Sequence, residues 1–223
     1  MGLRNSDSDA RVSADILLTL GAAVAAGLFA IVAIAVVTGG GLVSLDIRVT
    51  EWLHAHATPA LTNIIVAITN AHSMAAISVY TAVLALILAW KRDWLWMWTA
   101  VLTVSGGLLI NWLLKQVFQR ARPTLDNPLL TLETYSFPSA HTAGATLFYG
   151  VLAAYLISRC DNVAAKMGCA LVAACFIALA GFSRVYLGVH FTSDVIGGAC
   201  ASAAWLAFCL AGMQAYEKKT GMR

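Results

Sequence analysis

A short stretch of the chain places three ionisable side chains inside an otherwise apolar region. Residues 183–194 contain Arg184, His190 and Asp194, and long uncharged runs flank the stretch on both sides. Ionisable groups at membrane depth are costly, so such a cluster is first interpreted as a functional site. If a helix begins near His190, Asp194 lies one turn further on, on the same face. Its carboxylate can then accept the proton of one imidazole nitrogen and leave the other nitrogen basic, as a nucleophilic or general-base histidine requires.

Two further polar stretches supply the rest of a possible anion site. The first runs from Lys115 to Pro123 and contains Arg122; the second runs from Ser136 to Thr142 and contains Ser139, Ala140 and His141. Lys115, Arg122 and Arg184 together need an anion, and phosphate suits them because guanidinium groups bind its oxygens bidentately. Ser139 opens a predicted helix, so its hydroxyl and the N–H groups of Ala140 and His141 can point at the same anion.

The two histidines can divide the work of phosphoryl transfer between them. His190, oriented by Asp194, would attack phosphorus, and His141 would donate a proton to the leaving oxygen. The three cations would stabilise the negative charge on the equatorial oxygens of the transition state. This scheme needs no metal and no cofactor, and the sequence offers no cluster of carboxylates that would hold a metal.

The three stretches together resemble the three-part signature of the type 2 phosphatidic acid phosphatase family. That family comprises membrane lipid phosphatases and, on the same core, soluble vanadium haloperoxidases. The matching residues are Lys115-x6-Arg122-Pro123, then Pro138-Ser139-Ala140-His141, then Ser183-Arg184-x5-His190-x3-Asp194. A match of all three parts in order is specific, whereas each part alone would be weak.

The resemblance implies a role for each matched residue. It implies a phosphohistidine intermediate on His190, with Asp194 as its partner and His141 as the general acid. It also implies that phosphate is bound by Lys115, Arg122, Ser139, the Ala140 N–H and Arg184. The family usually has glycine where this chain has Ala140. Alanine keeps the N–H group, so phosphate binding is expected to survive, while its methyl group can tighten the pocket.

The composition is that of an integral membrane protein. Of the 223 residues, 60% are hydrophobic and only 11% are charged, whereas soluble domains have about 25% charged residues. The length suits a single membrane-embedded domain over residues 1–223. The net charge of +3 is too small to indicate a nucleic-acid partner. The five cysteines show no CxxC or Cys/His spacing, and we interpret them as small buried hydrophobes.

The apolar runs predict an all-α bundle of six transmembrane helices. The first run, residues 16–37, would extend about 33 Å as a helix, which is enough to cross a bilayer. A cleaved signal peptide is the alternative, but its apolar core usually has only about 7–15 residues. Residues 1–13 are interpreted as a cytoplasmic tail and residues 42–57 as an interfacial segment. The predicted spans are 16–37, 73–90 after a short helix at 59–69, 94–114, 142–158, 167–182 and 195–216.

The charge pattern predicts the orientation in the membrane. Six spans place both termini on one side, and the basic residues of the tails and alternate loops fall on that side, which identifies it as cytoplasmic. The motif region at 115–194 then lies at the outer ends of the third, fourth and sixth spans. We therefore expect the active site at the outer membrane–water boundary of a multi-pass protein, with a bacterial cell membrane as the favoured location.

The remaining polar residues receive less specific interpretations. Arg120 is interpreted as a surface or headgroup contact, Tyr186 as a packing residue, and Asp126 and Glu133 as solvated loop charges. The leucines at 125–132 are expected to lie on the lipid surface where the substrate enters. His54 and His56 could form part of a metal site, but no other ligand lies near them in the sequence.

A site at headgroup level predicts a substrate with a lipid tail. A lipid phosphate or diphosphate fits, such as phosphatidic acid, phosphatidylglycerophosphate or undecaprenyl diphosphate, and the sequence does not choose among them. Two alternatives belong to other classes: an anion transporter, and a non-catalytic protein that binds lipid phosphates. A transporter predicts basic residues at several depths and broken-helix repeats. A non-catalytic protein predicts a missing nucleophile or acid. The oligomeric state is not indicated.

Overall fold

The computed structural model describes residues 3–126, 128–130 and 132–221, with side chains from residue 16 onward. Within these residues the chain forms only helices. They are α1 Leu3–Thr38, α2 Gly41–Ala55, α3 Pro59–Ala71, α4 Met74–Trp90, α5 Trp94–Phe118, α6 Ala140–Ser158, α7 Val163–Tyr186 and α8 Thr192–Thr220. Arg223 and the side chains of Arg4 and Arg11 lie outside what is described, so their part in the charge pattern stays a prediction.

Five of these helices are long and apolar enough to cross a membrane. The count becomes six if α3 and α4, which meet at an angle of 47°, form one broken span. This architecture confirms the predicted all-α membrane bundle. The predicted break near residues 70–73 occurs where Ser73 caps α4 by accepting a hydrogen bond from the Ala76 N–H at 3.2 Å. The backbone of the predicted amino-terminal tail is a helical extension of the first span, since α1 begins at Leu3.

Three spans extend further toward the polar motifs than their apolar runs predict. The helix α5 ends at Phe118, α7 ends at Tyr186, and α8 begins at Thr192. These extra turns carry polar side chains, which hydropathy excludes from a span but which the fold buries. Lys115 and Arg184 therefore lie in the last turns of α5 and α7, while Asp194 lies in the first turn of α8.

A hydrophobic core between α4, α5, α6 and α8 fixes the relative positions of these helices. Its buried residues include Ile77, Val104, Leu147, Val151 and Leu210. The helix α1 packs lengthwise against α8. Near the motif end of the bundle, the Phe137 ring stacks on Phe29 with the ring centres 5.9 Å apart and meets Phe118 edge-on at 5.0 Å. This aromatic group anchors the segment that precedes α6.

Gly198 allows α8 to approach the start of α6 more closely than any other residue type would. A Cβ atom at position 198 would lie 2.6 Å from the carbonyl oxygen of Ser139. We expect Gly198→Ala to lower the stability by about 1–3 kcal/mol, because backbone at this contact must move. The melting temperature in detergent measures the change. Gly212→Ala is the matched control, because it lies on the same helix and its Cβ would meet nothing within 4 Å. Equal melting temperatures for the two variants would contradict this account.

Candidate active site

The predicted site residues come together at one end of the bundle. They are contributed by the last turns of α5 and α7, the segment 119–139, the connection 187–191 that carries His190, and the first turns of α6 and α8. Direct contacts connect the three motifs: the Lys115 Nζ lies 3.2 Å from the Ser136 oxygen, and the Ser136 Oγ lies 3.4 Å from the His190 Nδ1. Arg122 reaches the same imidazole from the other side, with its Nη1 atom 3.2 Å from the Nε2 of His190.

The His190 ring is buried and held by Asp194. Its Nδ1 atom lies 3.2 Å from the Asp194 Oδ2. That oxygen also accepts hydrogen bonds from the Phe191 N–H at 2.9 Å and from the Ser136 hydroxyl. A carboxylate on Nδ1 and an arginine donor on Nε2 define one tautomer, with the proton on Nδ1 and a lone pair on Nε2. Burial lowers the pKa of His190 to about 4, although Asp194 opposes this effect. The imidazole is therefore neutral at pH 7, as a nucleophile must be.

Arg122 is held in place by main-chain and side-chain oxygens. Its guanidinium donates to the Val189 oxygen at 2.5 Å, to the Thr134 oxygen at 2.6 Å and to the Thr134 Oγ1 at 2.8 Å. Burial lowers its pKa from the ordinary value, but a guanidinium stays protonated in proteins. The result is a fixed cation beside the lone pair of His190.

Lys115 and Arg184 add two cations on deeper helix ends. The Lys115 Nζ donates a hydrogen bond to the Tyr135 carbonyl oxygen at 2.5 Å, and the Arg184 Nη1 donates one to the Thr69 Oγ1 at 2.6 Å. Arg184 is 2% exposed, and its Nε has no hydrogen-bond partner within the described part of the chain. A buried donor without an acceptor is unusual, and an anion bound in the site would satisfy it.

The first turn of α6 adds backbone donors. Ser139 caps this helix, since its Oγ accepts a hydrogen bond from the Thr142 N–H at 3.5 Å. The Oγ also accepts one from the Thr142 hydroxyl at 3.1 Å and keeps its own proton to donate. Among the described residues, nothing accepts from the N–H groups of Ala140 and His141, which carry the positive end of the helix dipole. The His141 ring is half-buried and lies within electrostatic range of Arg184 and His190.

The prediction for Arg120 is wrong. Its side chain is 11% exposed and does not face headgroups; it bridges two buried carboxylates, with Nη1 2.6 Å from the Asp194 Oδ1 and Nη2 3.0 Å from the Asp46 Oδ2. Its guanidinium also stacks on the Phe191 ring, 4.3 Å from the ring centre. Sequence reasoning placed Asp46 only in the interfacial segment 42–57 and gave it no part in the site. The available signal was an acidic residue between Leu45 and Ile47, because a carboxylate in such surroundings needs a buried cation.

The other interpretations of single residues have mixed outcomes. Tyr186 is buried, and its hydroxyl meets the Thr62 Oγ1 at 3.2 Å, so the packing role is confirmed. Asp126 and Glu133 are exposed, as expected for loop charges. Leu130 and Leu132 are exposed, as expected of a surface segment, whereas Leu125 is half-buried and packs over Gly188. It helps to line a cavity of about 280 Å³ beside Arg122 and Val189.

The comparisons with known proteins agree on a family. Residues 96–218 match the family described as the PAP2 superfamily. The chain is 37% identical over 99 residues to phosphatidylglycerophosphatase B of Bacillus subtilis (strain 168), covering 44% of this chain and 48% of that protein. It is also 37% identical over 102 residues to the undecaprenyl-diphosphatase BcrC of the same organism, again covering 44% and 48%. The matched region thus spans about half the length of these curated relatives.

Two solved structures resemble most of the chain. A transmembrane PAP2 type phosphatidylglycerolphosphate phosphatase from Bacillus subtilis superposes with a TM-score of 0.73 at 27% identity, covering 89% of this chain and 96% of that one. LpxE from Aquifex aeolicus shares the fold, with a TM-score of 0.60 at 24% identity over 74% of this chain and 94% of that one.

Proposed function

The chain belongs to the PAP2 superfamily, and from this membership and the geometry of the site we propose that it is a lipid phosphatase that works through a phosphohistidine on His190. One observation carries the proposal. The neutral imidazole is oriented through Nδ1 by Asp194, and its Nε2 lone pair faces the fixed cation Arg122. A phosphate group bound to that cation would place its phosphorus atom beside the lone pair.

In the first half-reaction, the phosphate oxygens accept hydrogen bonds from the donor groups of the site. Lys115, Arg122 and Arg184 supply the charges, and the Ser139 hydroxyl and the Ala140 N–H supply hydrogen bonds. The Nε2 of His190 then attacks phosphorus, the bond from phosphorus to the ester oxygen breaks, and His141 gives its proton to that oxygen. The lipid alcohol, or the lipid monophosphate from a diphosphate, leaves. Asp194 stabilises the positive charge that develops on the phosphorylated ring.

In the second half-reaction, water replaces the lipid. His141 is now neutral and can take a proton from this water as its oxygen attacks phosphorus. The bond between phosphorus and Nε2 breaks, inorganic phosphate is released, and His190 returns to its starting tautomer. Each group therefore ends the cycle in the protonation state in which it began.

We propose that the substrate is a lipid phosphate or diphosphate at the outer membrane–water boundary. The apolar helix surfaces leave the phosphate site at one end of the bundle, where a headgroup can reach it while the tail stays in lipid. Phosphatidic acid, phosphatidylglycerophosphate and undecaprenyl diphosphate fit this description. The two Bacillus relatives are named as a phosphatidylglycerophosphatase and an undecaprenyl-diphosphatase. Cytoplasmic termini and an outward-facing site complete the proposed topology.

The clustering of charge favours this activity over the two alternatives. A transport pathway would distribute its cations along the helices, whereas Lys115, Arg122 and Arg184 act on one another at a single end. A protein that only binds lipid phosphates has no need for a carboxylate-oriented histidine.

We expect phosphate release without any added metal. Among the described residues, no group of three His, Cys, Asp or Glu side chains could hold a metal ion, and the cations of the site already neutralise the phosphate. The protein purified in detergent should release phosphate equally well with and without EDTA from at least one member of a panel of lipid phosphates and diphosphates. Orthovanadate should inhibit, because it mimics five-coordinate phosphorus. Loss of activity on chelation that Mg²⁺ restores would contradict the scheme.

A further inference from the structure

A buried ion network lies behind the His190–Asp194 pair, and the scheme above does not use it. Arg120 joins Asp194 to Asp46, and the two carboxylate side chains are 0% and 1% exposed. Buried ions are costly unless each has a partner. Both carboxylates have further partners here. Asp194 is bonded by His190, Phe191 and Ser136 as described above. The Ser193 N–H donates to the Asp46 Oδ1 at 2.9 Å, and the Ser193 hydroxyl donates to its Oδ2.

The network contacts the residues that immediately follow His190. Arg120 donates to the Ser193 Oγ at 2.7 Å and stacks on the Phe191 ring. Asp46 lies on α2, Arg120 lies just after α5, and Ser193 and Asp194 lie in the first turn of α8. Three elements distant in sequence are thus tied together at the start of the helix that carries the partner of His190.

We propose that Asp46 and Arg120 are positioning residues, which hold Asp194 against the Nδ1 of His190 and set the negative charge that Asp194 presents to the imidazole. The proposal rests on the phosphatase function proposed above. Asp46 lies before residue 96, where the match to the family begins. The proposed role of Asp46 would give the helix α2 a part in the chemistry.

The charges of the network determine how strongly Asp194 stabilises a positively charged imidazole. Arg120 shares its positive charge between two carboxylates. If Asp46 loses its charge, Arg120 acts on Asp194 alone. Asp194 then stabilises a positively charged imidazole less strongly. If the Asp46–Arg120 pair is replaced by neutral groups, Asp194 acts on His190 without Arg120 beside it. Asp194 then stabilises a positively charged His190 ring more strongly. The other groups that face His190 are Arg122 and the Ser136 hydroxyl from the segment 119–139, Lys115 from α5 and His141 from α6, and these stay the same in every variant.

The test compares Asp46→Asn with the double variant Asp46→Asn/Arg120→Met. Both are expected to lower kcat about tenfold or more with little change in KM, because a misplaced catalytic group costs rate while neither residue touches the substrate. The acid limb of the kcat profile should shift to lower pH in Asp46→Asn. In the double variant it should shift upward by about one pH unit, the size expected of a partly buried charge. A purely structural role would lower kcat without these opposite shifts.

Two further variants make the comparison sharper. Arg120→Lys keeps the charge, so it should keep the parent pH profile while recovering only part of kcat, because an ammonium cannot bridge both carboxylates as a planar fork does. Asp93→Asn is the matched control: Asp93 pairs with Arg159 at the opposite end of the bundle. Its kcat and pH profile should equal those of the parent.

The assay uses phosphatidic acid and, separately, the soluble ester p-nitrophenyl phosphate. If the parent hydrolyses either compound and Asp46→Asn retains the parent kcat and acid limb, the positioning role is overturned and the phosphatase function stands. If the parent hydrolyses neither of these nor any other lipid phosphate or diphosphate of the panel, the phosphatase function fails. The network is then tested by ¹⁵N-histidine NMR of the ligand-free protein, with the His190 signal assigned from His190→Ala. An unchanged His190 titration in both network variants would overturn the inference.

Discussion

Replacing His190 with alanine is expected to abolish lipid phosphate hydrolysis, with a fall in kcat of about 10⁴-fold or more. Without Nε2 the proposed acceptor of the phosphoryl group is lost. The cations would still bind phosphate and could support a slow direct attack by water, so KM should change much less than kcat. Phosphate release from phosphatidic acid and undecaprenyl diphosphate, measured in detergent, checks this result.

Trapping of the intermediate gives the same prediction an independent readout. The parent, quenched during turnover of a ³²P-labelled substrate, should carry label that is stable in base and lost in acid, as expected of a phosphohistidine. His190→Ala should carry none. The matched control is His56→Ala, because His56 is exposed at the end of α2 and its ring contacts Trp52, through the Trp52 oxygen at 2.8 Å and the Trp52 ring. Equal rates for His190→Ala and the parent would eliminate the nucleophile assignment.

The helices could be predicted because each span leaves a long uncharged run in the sequence. The ends of those helices could not be predicted in the same way. Hydropathy stops at the first charged residue, so the predicted span ended at Leu114, whereas α5 continues through Lys115 to Phe118. The fold pairs that lysine with the carbonyl oxygens of Tyr135 and Ser136, and no pattern local to α5 contains that information.

The contacts of the candidate site differ in the same way: local contacts could be predicted from the sequence, and long-range contacts could not. The contact between His190 and Asp194 follows from their spacing of four residues, which any helix start would bring together. The contact between Arg120 and Asp46 joins residues 74 positions apart. Arg120 lies in an irregular segment, where neither the helical nor the strand period predicts which way a side chain points. Its charge was visible in the sequence, but its partners could be identified only from the fold.

Two arginines in that segment act on opposite sides of one imidazole. Arg122 approaches the Nε2 of His190, where the phosphorus atom is proposed to bind, and Arg120 binds the carboxylate that holds Nδ1. Their charges therefore have opposite consequences. Arg122 would stabilise the incoming phosphate, whereas Arg120 reduces the support that Asp194 gives to a positive ring. Asp46 offsets part of this reduction, which gives a physical reason for a second buried carboxylate.

Replacing His141 with alanine is expected to lower kcat for phosphatidic acid by about 10²–10⁴-fold, the usual contribution of a general acid. The glyceride alkoxide is a poor leaving group and needs a proton as its bond to phosphorus breaks. The p-nitrophenolate anion leaves without one. The first turnover of p-nitrophenyl phosphate should therefore slow by less than about tenfold in the same variant.

The burst phase separates the two roles that His141 would have. If His141 also activates water in the second half-reaction, His141→Ala should release one equivalent of p-nitrophenol rapidly and then turn over slowly, because the phosphohistidine accumulates. Rapid-quench measurement of p-nitrophenol and of protein-bound phosphate tests this directly. The His56→Ala control should match the parent with both substrates. An equal loss of first-turnover rate for the two esters would show that His141 does not protonate the leaving oxygen, and would leave phosphate binding or the positioning of its neighbours as its contribution.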